Sequence, residues 1–377
     1  MELTGPSNFL ILGGCGFIGR NLVSYLVENQ LVKYLRVVDK VSPQIAWLGK
    51  PHADYFQSPN VEFKSSNLIN PESCKNAFVP PSDISWDYVI NCAGETKQSQ
   101  VDPVYKEGIL KLSINCAKEA AQYQVKRYVE LSAGQLFSSS KTPHKESDDV
   151  SPWTNIAKWK WQVEKELKEI PALKYTILRP ALVYGPGDKN GLMTRVIIAH
   201  LYKQLNETMN LLWNAALKMN TVHVRDVCRA ICFACSRPET IGETYNLVDE
   251  AKSSQGTLSQ LISQLLDIKV DYWGLLVSSM ADLESAAEEG NEKHMVAWAR
   301  ACSANAIENT PLSPHMNSEM LLYKHLHLDG SKLKGLGFEY VVTGPSADNI
   351  KATVEYYLDM KVFPATLAVY KASNGVV

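Results

Sequence analysis

The stretch Phe9-Leu-Ile-Leu-Gly13-Gly14-Cys15-Gly16-Phe17-Ile18-Gly19-Arg20 constrains this chain more than any other part of it. Four apolar residues run into a cluster of glycines and then into helical periodicity, the order of a strand, a tight turn and a helix start. Gly13 permits the turn, Gly16 lets the backbone approach a diphosphate, and Gly19 lets the helix pack on the strand with its N-terminus facing the phosphates. The next apolar run closes on Val37-Val38-Asp39, which places a carboxylate where it can accept from a ribose 2′-hydroxyl. Asp39 repels a 2′-phosphate, so the expected ligand is NAD, with NADP as the alternative if Lys40 and Arg20 offset that carboxylate.

Around this turn, apolar runs alternate with helical patterns. Strands are expected at 9–12, 35–39, 61–64, 88–91, 128–132 and 175–179, and helices at 18–28, 71–77, 104–123 and 156–168. Such βα steps predict an α/β fold with a doubly wound parallel (Rossmann-type) sheet and ligands beyond the carboxyl ends of its strands. After Pro186 the pattern loosens into a helix at 191–204, irregular or strand structure at 211–224 and a helix at 227–235. A strand at 242–248 and a helix at 258–266 follow. Residues 1–185 are therefore expected to form the dinucleotide-binding unit, with 242–266 returning to it, and 186–377 a smaller mixed substrate-type lobe. A polar helical insertion near 278–320 enlarges that lobe and offers a surface to cover a ligand or meet a partner protein. A last helix is expected at 347–358, and 373–377 reads as frayed.

Charge excludes some partners. With 38 Lys and Arg against 40 Asp and Glu, the net charge of -2 gives no reason to expect nucleic acid. No apolar run is long enough for a membrane span, and the polar residues 1–7 lead straight into the first strand, leaving no room for a signal peptide. A cytoplasmic protein is expected, with its eight cysteines as buried thiols. Cys228, Cys232 and Cys235 share a helical face, but with no CxxC pair or paired histidines they read as core residues, and no metal is expected. His325 and His327 lack a third ligand and read as solvent-exposed.

Four motifs in order, Gly13 to Gly19, Asn91-Cys-Ala-Gly94, Arg179-Pro-Ala-Leu-Val-Tyr-Gly-Pro-Gly187 and His223-Val-Arg-Asp-Val227, resemble those of the extended short-chain dehydrogenase/reductases, the NAD-dependent epimerase/dehydratase family. The resemblance covers residues 8–250 and returns thinly at Asp329-Gly-Ser-Lys332 and Leu336-Gly-Phe338. It implies a small-molecule ligand, commonly a nucleotide sugar and sometimes a sterol or another alcohol. It also implies that Phe17, Ile18, Ala93 and Gly94 line the cofactor and that Pro180 to Val183 lie near its nicotinamide end. Asn67-Leu68 stands in place of the family's Asp-Leu, with Asn67 pairing with adenine. A homodimer through the helices at 104–123 and 156–168 follows from the same resemblance.

Chemistry in such a family needs a tyrosine whose pKa is lowered by a lysine one helical turn on. Aligning Lys160 and Glu164 with the family's lysine and the glutamate after it places Ile156 at the tyrosine, and shifting the register to Lys158 places Thr154 there. Neither is a phenol. Gly108 stands where the family carries an asparagine, and the hydroxyl after the fifth strand falls on Ser132 or on Ala133, which has none. One reading is a dinucleotide-binding protein with a degenerate catalytic centre and a structural or regulatory role. The other is an active oxidoreductase or epimerase using Lys160, Ser132 or Lys158 for proton transfer. In both, Lys160 is expected to reach the nicotinamide ribose, while the neighbouring Lys158, Trp159 and Trp161 pack. His223 and Asp226 shape a helix start rather than form an acid/base pair, and Trp153, Trp159 and Tyr184 either surround a less polar ligand or pack in the core.

Overall fold

Buried strands with no polar face are the natural material of a parallel sheet, and the apolar runs of the first half assemble that way. The computed structural model describes Leu3 and residues 5–371, so the frayed end expected at 373–377 lies outside the described residues. In chain order come β1 (Ser7–Leu12), α1 (Phe17–Glu28), β2 (Val32–Asp39), α2 (Lys50–Phe56), β3 (Val61–Ser65), α3 (Pro71–Phe78), β4 (Tyr88–Asn91) and α4 (Asp102–Tyr105). A π-helical stretch, Lys106–Lys111, leads into α5 (Leu112–Gln122), followed by β5 (Arg127–Leu131), α6 (Asn155–Leu167) and β6 (Tyr175–Pro180).

The strand order β3-β2-β1-β4-β5-β6-β10 makes one seven-stranded sheet, with every neighbour parallel. Its last strand, β10 (Glu243–Leu247), comes from far along the chain and pairs with β6. The strand order reverses at β1, between β2 and β4, which opens a crevice at their carboxyl ends. Alternation along β1 feeds two cores: Phe9 and Ile11 join one face with Leu22 and Val37, while Leu10 and Leu12 join the other with Phe78 and Val163.

The remaining elements are β7 (Leu182–Tyr184), α7 (Leu192–Leu205), β8 (Met209–Leu211), β9 (Thr221–His223), α8 (Val224–Ser236), α9 (Gln255–Leu266) and β11 (Val270–Tyr272). The chain continues through α10 (Gly274–Met280), α11 (Leu283–Ala304), α12 (Ser331–Gly335) and α13 (Ala347–Asp359). A third apolar cluster joins α7, α9, α11 and α13 through Ile197, Leu258, Trp298 and Val354. Among the described residues no helix is long and apolar enough to cross a membrane.

Two local departures from the sequence reading have physical causes. The single helix expected over 104–123 is interrupted by the π stretch, where Gly108 turns its carbonyl to accept from Glu95 N–H at 3.0 Å. A Cβ on Gly108 would stand 3.0 Å from Glu95 Cβ, so a bare α-carbon is what allows this helix to press on the loop after β4. The helix α2 was not expected, because Lys50–Phe56 carries no apolar stripe; it buries only His52 and Phe56.

Candidate cofactor site

The glycine turn joins β1 to α1 at the mouth of the crevice. Gly13 has φ +73°, and a Cβ there would stand 2.6 Å from Ala93 Cα, so any side chain would push the ends of β1 and β4 apart. At Gly19 a Cβ would stand 2.4 Å from the Gly13 carbonyl oxygen, closing the contact between helix and turn. Gly16 occupies the N-cap of α1, and no side chain caps that helix. The exposed first-turn amides are free to meet an anion. Phe17 and Ile18, half-buried, begin the helix beside them.

Asp39 ends β2 against the turn, accepting from Cys15 N–H at 3.1 Å and Val41 N–H at 3.0 Å. Burial raises its carboxyl pKa and the backbone donors oppose that rise. The expectation that Arg20 could greet a 2′-phosphate meets a structural obstacle. Its guanidinium is buried, donating to the carbonyls of Cys15 at 2.6 Å, Ala46 at 2.8 Å and Trp47 at 2.7 Å, and ties the 46–47 loop to the turn. Lys40 remains exposed.

Beyond β3, Asn67 is exposed and its Oδ1 accepts from Ile69 N–H at 3.1 Å, while Leu68 is buried. Beyond β4, Ala93 N–H donates to Asn91 Oδ1 at 3.1 Å, and Gly94 follows. Pro180 closes β6, and Val183 pairs with Val222 between β7 and β9.

Lys160 and Ser132 are both committed to buried partners. Lys160 Nζ donates to Glu130 Oε1 at 3.0 Å, with Lys160 8% and Glu130 0% exposed. The same carboxylate accepts from Asn91 Nδ2 at 2.7 Å, Ser113 Oγ at 3.1 Å and Tyr128 Oη at 2.9 Å. Tyr128 is thus a donor beneath the network, and burial pushes its phenol pKa well above the ordinary value. Lys160 Nζ lies 3.7 Å from where a Cβ on Gly94 would stand, so the ammonium underlies the Ala93-Gly94 loop while bonded to Glu130. Ser132 Oγ donates to Glu164 Oε1 at 2.5 Å, and Arg179 clamps Glu164 from the other side at 2.6 and 3.0 Å.

On α6, Ile156 lies one turn before Lys160 and packs against the apolar cluster beneath the helix. Thr154 is the N-cap of that helix, its Oγ1 accepting from Ala157 N–H at 3.1 Å. Lys158 Nζ and Trp159 Nε1 both bond Asp102, at 3.1 and 3.0 Å. Trp153 donates to the Phe137 carbonyl at 3.1 Å, and Tyr184 belongs to the third apolar cluster, whereas Trp159 packs on the second.

The remaining candidates are structural in their contacts. His223 Nδ1 caps α8 by accepting from Arg225 N–H at 3.2 Å, and burial lowers its pKa to about 4. Asp226, fully buried, accepts from Val341 and Val342 N–H at 3.0 and 2.8 Å. His325 departs from the exposed position expected of it: it is 6% exposed and accepts from Lys218 N–H at 3.0 Å. His327 faces the Ser139 carbonyl at 3.2 Å. Cys228, Cys232 and Cys235 are buried in the core.

Sequence reasoning did not find Glu130, Tyr128, Ser113 or Arg179 as partners. A signal existed in Arg127-Tyr-Val-Glu130-Leu, since a glutamate inside a buried strand requires a paired charge and donors.

A model of the NAD dependent epimerase/dehydratase family matches residues 9–247. UDP-glucose 4-epimerase of Vibrio cholerae is 26% identical over 200 residues, 49% of this chain and 54% of the relative. The chain thus spans about half the length of this curated relative. Among solved structures, UDP-glucose 4-epimerase of Thermotoga maritima with UDP-glucose superposes with a TM-score of 0.65 at 22% identity, covering 94% of this chain and 99% of that one. UDP-N-acetylglucosamine 4-epimerase of Methanobrevibacter ruminantium in complex with UDP-N-acetylmuramic acid reaches 0.68 at 19%, covering 95% and 100%. UDP-glucose 4-epimerase of Thermus thermophilus in complex with NAD reaches 0.65 at 19%, covering 93% and 99%. At these identities the likeness is one of fold.

Proposed function

The chain belongs to the NAD dependent epimerase/dehydratase family, and we propose that it binds a pyridine dinucleotide, NAD in preference to NADP, at a catalytic centre that has degenerated. Its role is then structural or regulatory. The residues at the crevice fit that cofactor: a glycine turn with no room for a Cβ at Gly13 or Gly19, an uncapped helix start for the diphosphate, and Asp39 for the adenosine ribose. Gly13, Gly16 and Gly19 with Phe17 and Ile18 hold the diphosphate, Asn67 and Leu68 the adenine end, and Ala93, Gly94, Pro180 and Val183 the nicotinamide end. The bound dinucleotide would supply hydride acceptance. What this chain would have to add is a proton-transfer group beside it.

The observation that carries the degenerate reading is the environment of Lys160. In place of a phenol one turn earlier on α6 stands Ile156, and the ammonium that would lower a phenol's pKa is neutralised by the buried Glu130. Ser132 is spent on the Glu164–Arg179 pair, and Lys158 on Asp102. A non-tyrosine base at Lys160 would first have to leave a carboxylate that holds three further donors. The ligand of the adjoining lobe is a small molecule of the nucleotide-sugar kind, the chain works in a reducing, cytoplasmic setting consistent with eight free cysteines, and a homodimer through the helical segments 104–123 and 156–168 is part of the same proposal.

The test is turnover measured on NAD-loaded protein with a panel of UDP-sugars and secondary alcohols, reading NADH absorbance and epimer formation by NMR. No product above the protein-free control is expected. Sustained turnover that Lys160→Met abolishes would establish the active reading instead.

A further inference from the structure

The helix α10, Gly-Leu-Leu-Val-Ser-Ser-Met, is built inside out. Its one buried residue is a serine: Ser278, 1% exposed, accepts from Trp213 N–H at 2.7 Å. The backbone completes the attachment, with Trp273 N–H donating to the Leu211 carbonyl at 2.9 Å and Gly274 N–H to the Trp213 carbonyl at 2.8 Å. The apolar side chains point the other way. Trp273 is 44% exposed, Leu275 45%, Leu276 71%, Val277 54% and Met280 77%. Five large apolar side chains within eight residues form a contiguous patch, and a patch of this kind marks a surface that another molecule covers.

The charges that flank α10 along the chain select its partner. Between the exposed Lys269 and Lys293 the chain carries Asp271, Asp282, Glu284, Glu288, Glu289 and Glu292, six carboxylates against the two bounding lysines. All six carboxylates lie at exposed positions. An anionic membrane surface is repelled by this run of carboxylates, whereas helices that lie on such surfaces border their apolar face with cations. A second copy meeting the same patch about a twofold axis would set acid against acid. We propose that α10 is a docking site for a partner protein that offers an apolar groove rimmed by lysine and arginine. The patch supplies the buried centre of that contact, and the carboxylates supply orientation and encounter rate. This surface is independent of the dinucleotide site.

The experiment uses the full chain and a fluorescently labelled amphipathic helical peptide of leucine and lysine as the probe for such a partner. A leucine–glutamate peptide, phosphatidylserine vesicles and sedimentation of the protein alone run beside it. Saturable binding of the lysine peptide is expected, weakened about tenfold or more by Leu276→Ser/Val277→Ser and to a similar degree by Glu284→Lys/Glu288→Lys. Both double variants should keep the wild-type circular dichroism spectrum and NADH affinity. The proposal is overturned if the lysine peptide does not bind, binds both double variants as well as wild type, or is matched by the glutamate peptide. It is equally overturned if the chain pellets with the vesicles, or forms a dimer that the apolar double variant abolishes.

Discussion

At the scale of single residues, the site is organised by where buried charges find partners. Glu130 sits in the middle of the sheet with an ammonium and three neutral donors around it, so removing Lys160 leaves a buried carboxylate without its counter-charge. Lys160→Met should cost about 3–5 kcal/mol in urea unfolding, whereas Lys160→Met/Glu130→Gln, which removes the charge and keeps an acceptor for Asn91, Ser113 and Tyr128, should recover a large part of that loss. Additive costs in that double-mutant cycle would contradict the pairing. A second buried carboxylate, Asp249, makes a pH-dependent contribution. Burial pushes its pKa up to about 7, against hydrogen bonds from Thr221 Oγ1 at 2.7 Å and Ala251 N–H at 3.1 Å. With the folded pKa above the unfolded one near ~4, its contribution is fully present below about pH 4 and is lost as the pH rises toward 7. Asp249→Asn should therefore gain stability relative to wild type across that window, by up to about 4 kcal/mol at its upper end. A difference that stays flat from pH 4 to 8 in chemical denaturation would refute the assignment.

Elements show how much the residue pattern conveys. Central strands buried on both faces read directly as apolar runs, and the glycine turn was legible because its chemistry is that of the backbone: Gly13 and Gly19 stand where no Cβ fits. The π stretch was not legible, since helical periodicity continues through residues 102–122 and only the press of Gly108 on Glu95 breaks it. The partners of Lys160 and Ser132 were hidden for a related reason: Glu130 and Glu164 reach them from other elements, at sequence separations that periodicity does not encode. Thr154 caps α6, so Thr154→Ala should cost about 1 kcal/mol of stability and leave NADH affinity unchanged. A large loss of NADH affinity without loss of stability would give that hydroxyl a different task.

Across the whole molecule, α13 is tied to the glycine turn and its neighbouring loop. Tyr356 on α13 accepts from Gly49 N–H at 2.7 Å and meets His52 Nδ1 at 2.9 Å, and Arg20 of α1 approaches the same hydroxyl at 3.4 Å. Asn21 of α1 donates to the Pro186 carbonyl at 2.9 Å, so the segment leading to α7 also rests on the helix of the turn. A ligand that orders the turn would stabilise this assembly by mass action. The proposed grip of bare peptide amides and one carboxylate on a dinucleotide is tested most directly by calorimetric titration of the full chain with NADH, alongside Gly13→Ala. One saturable site in the wild-type chain that Gly13→Ala eliminates is the predicted result. Absence of heat and of thermal stabilisation with both NADH and NADPH, in wild-type protein that is folded, would contradict it.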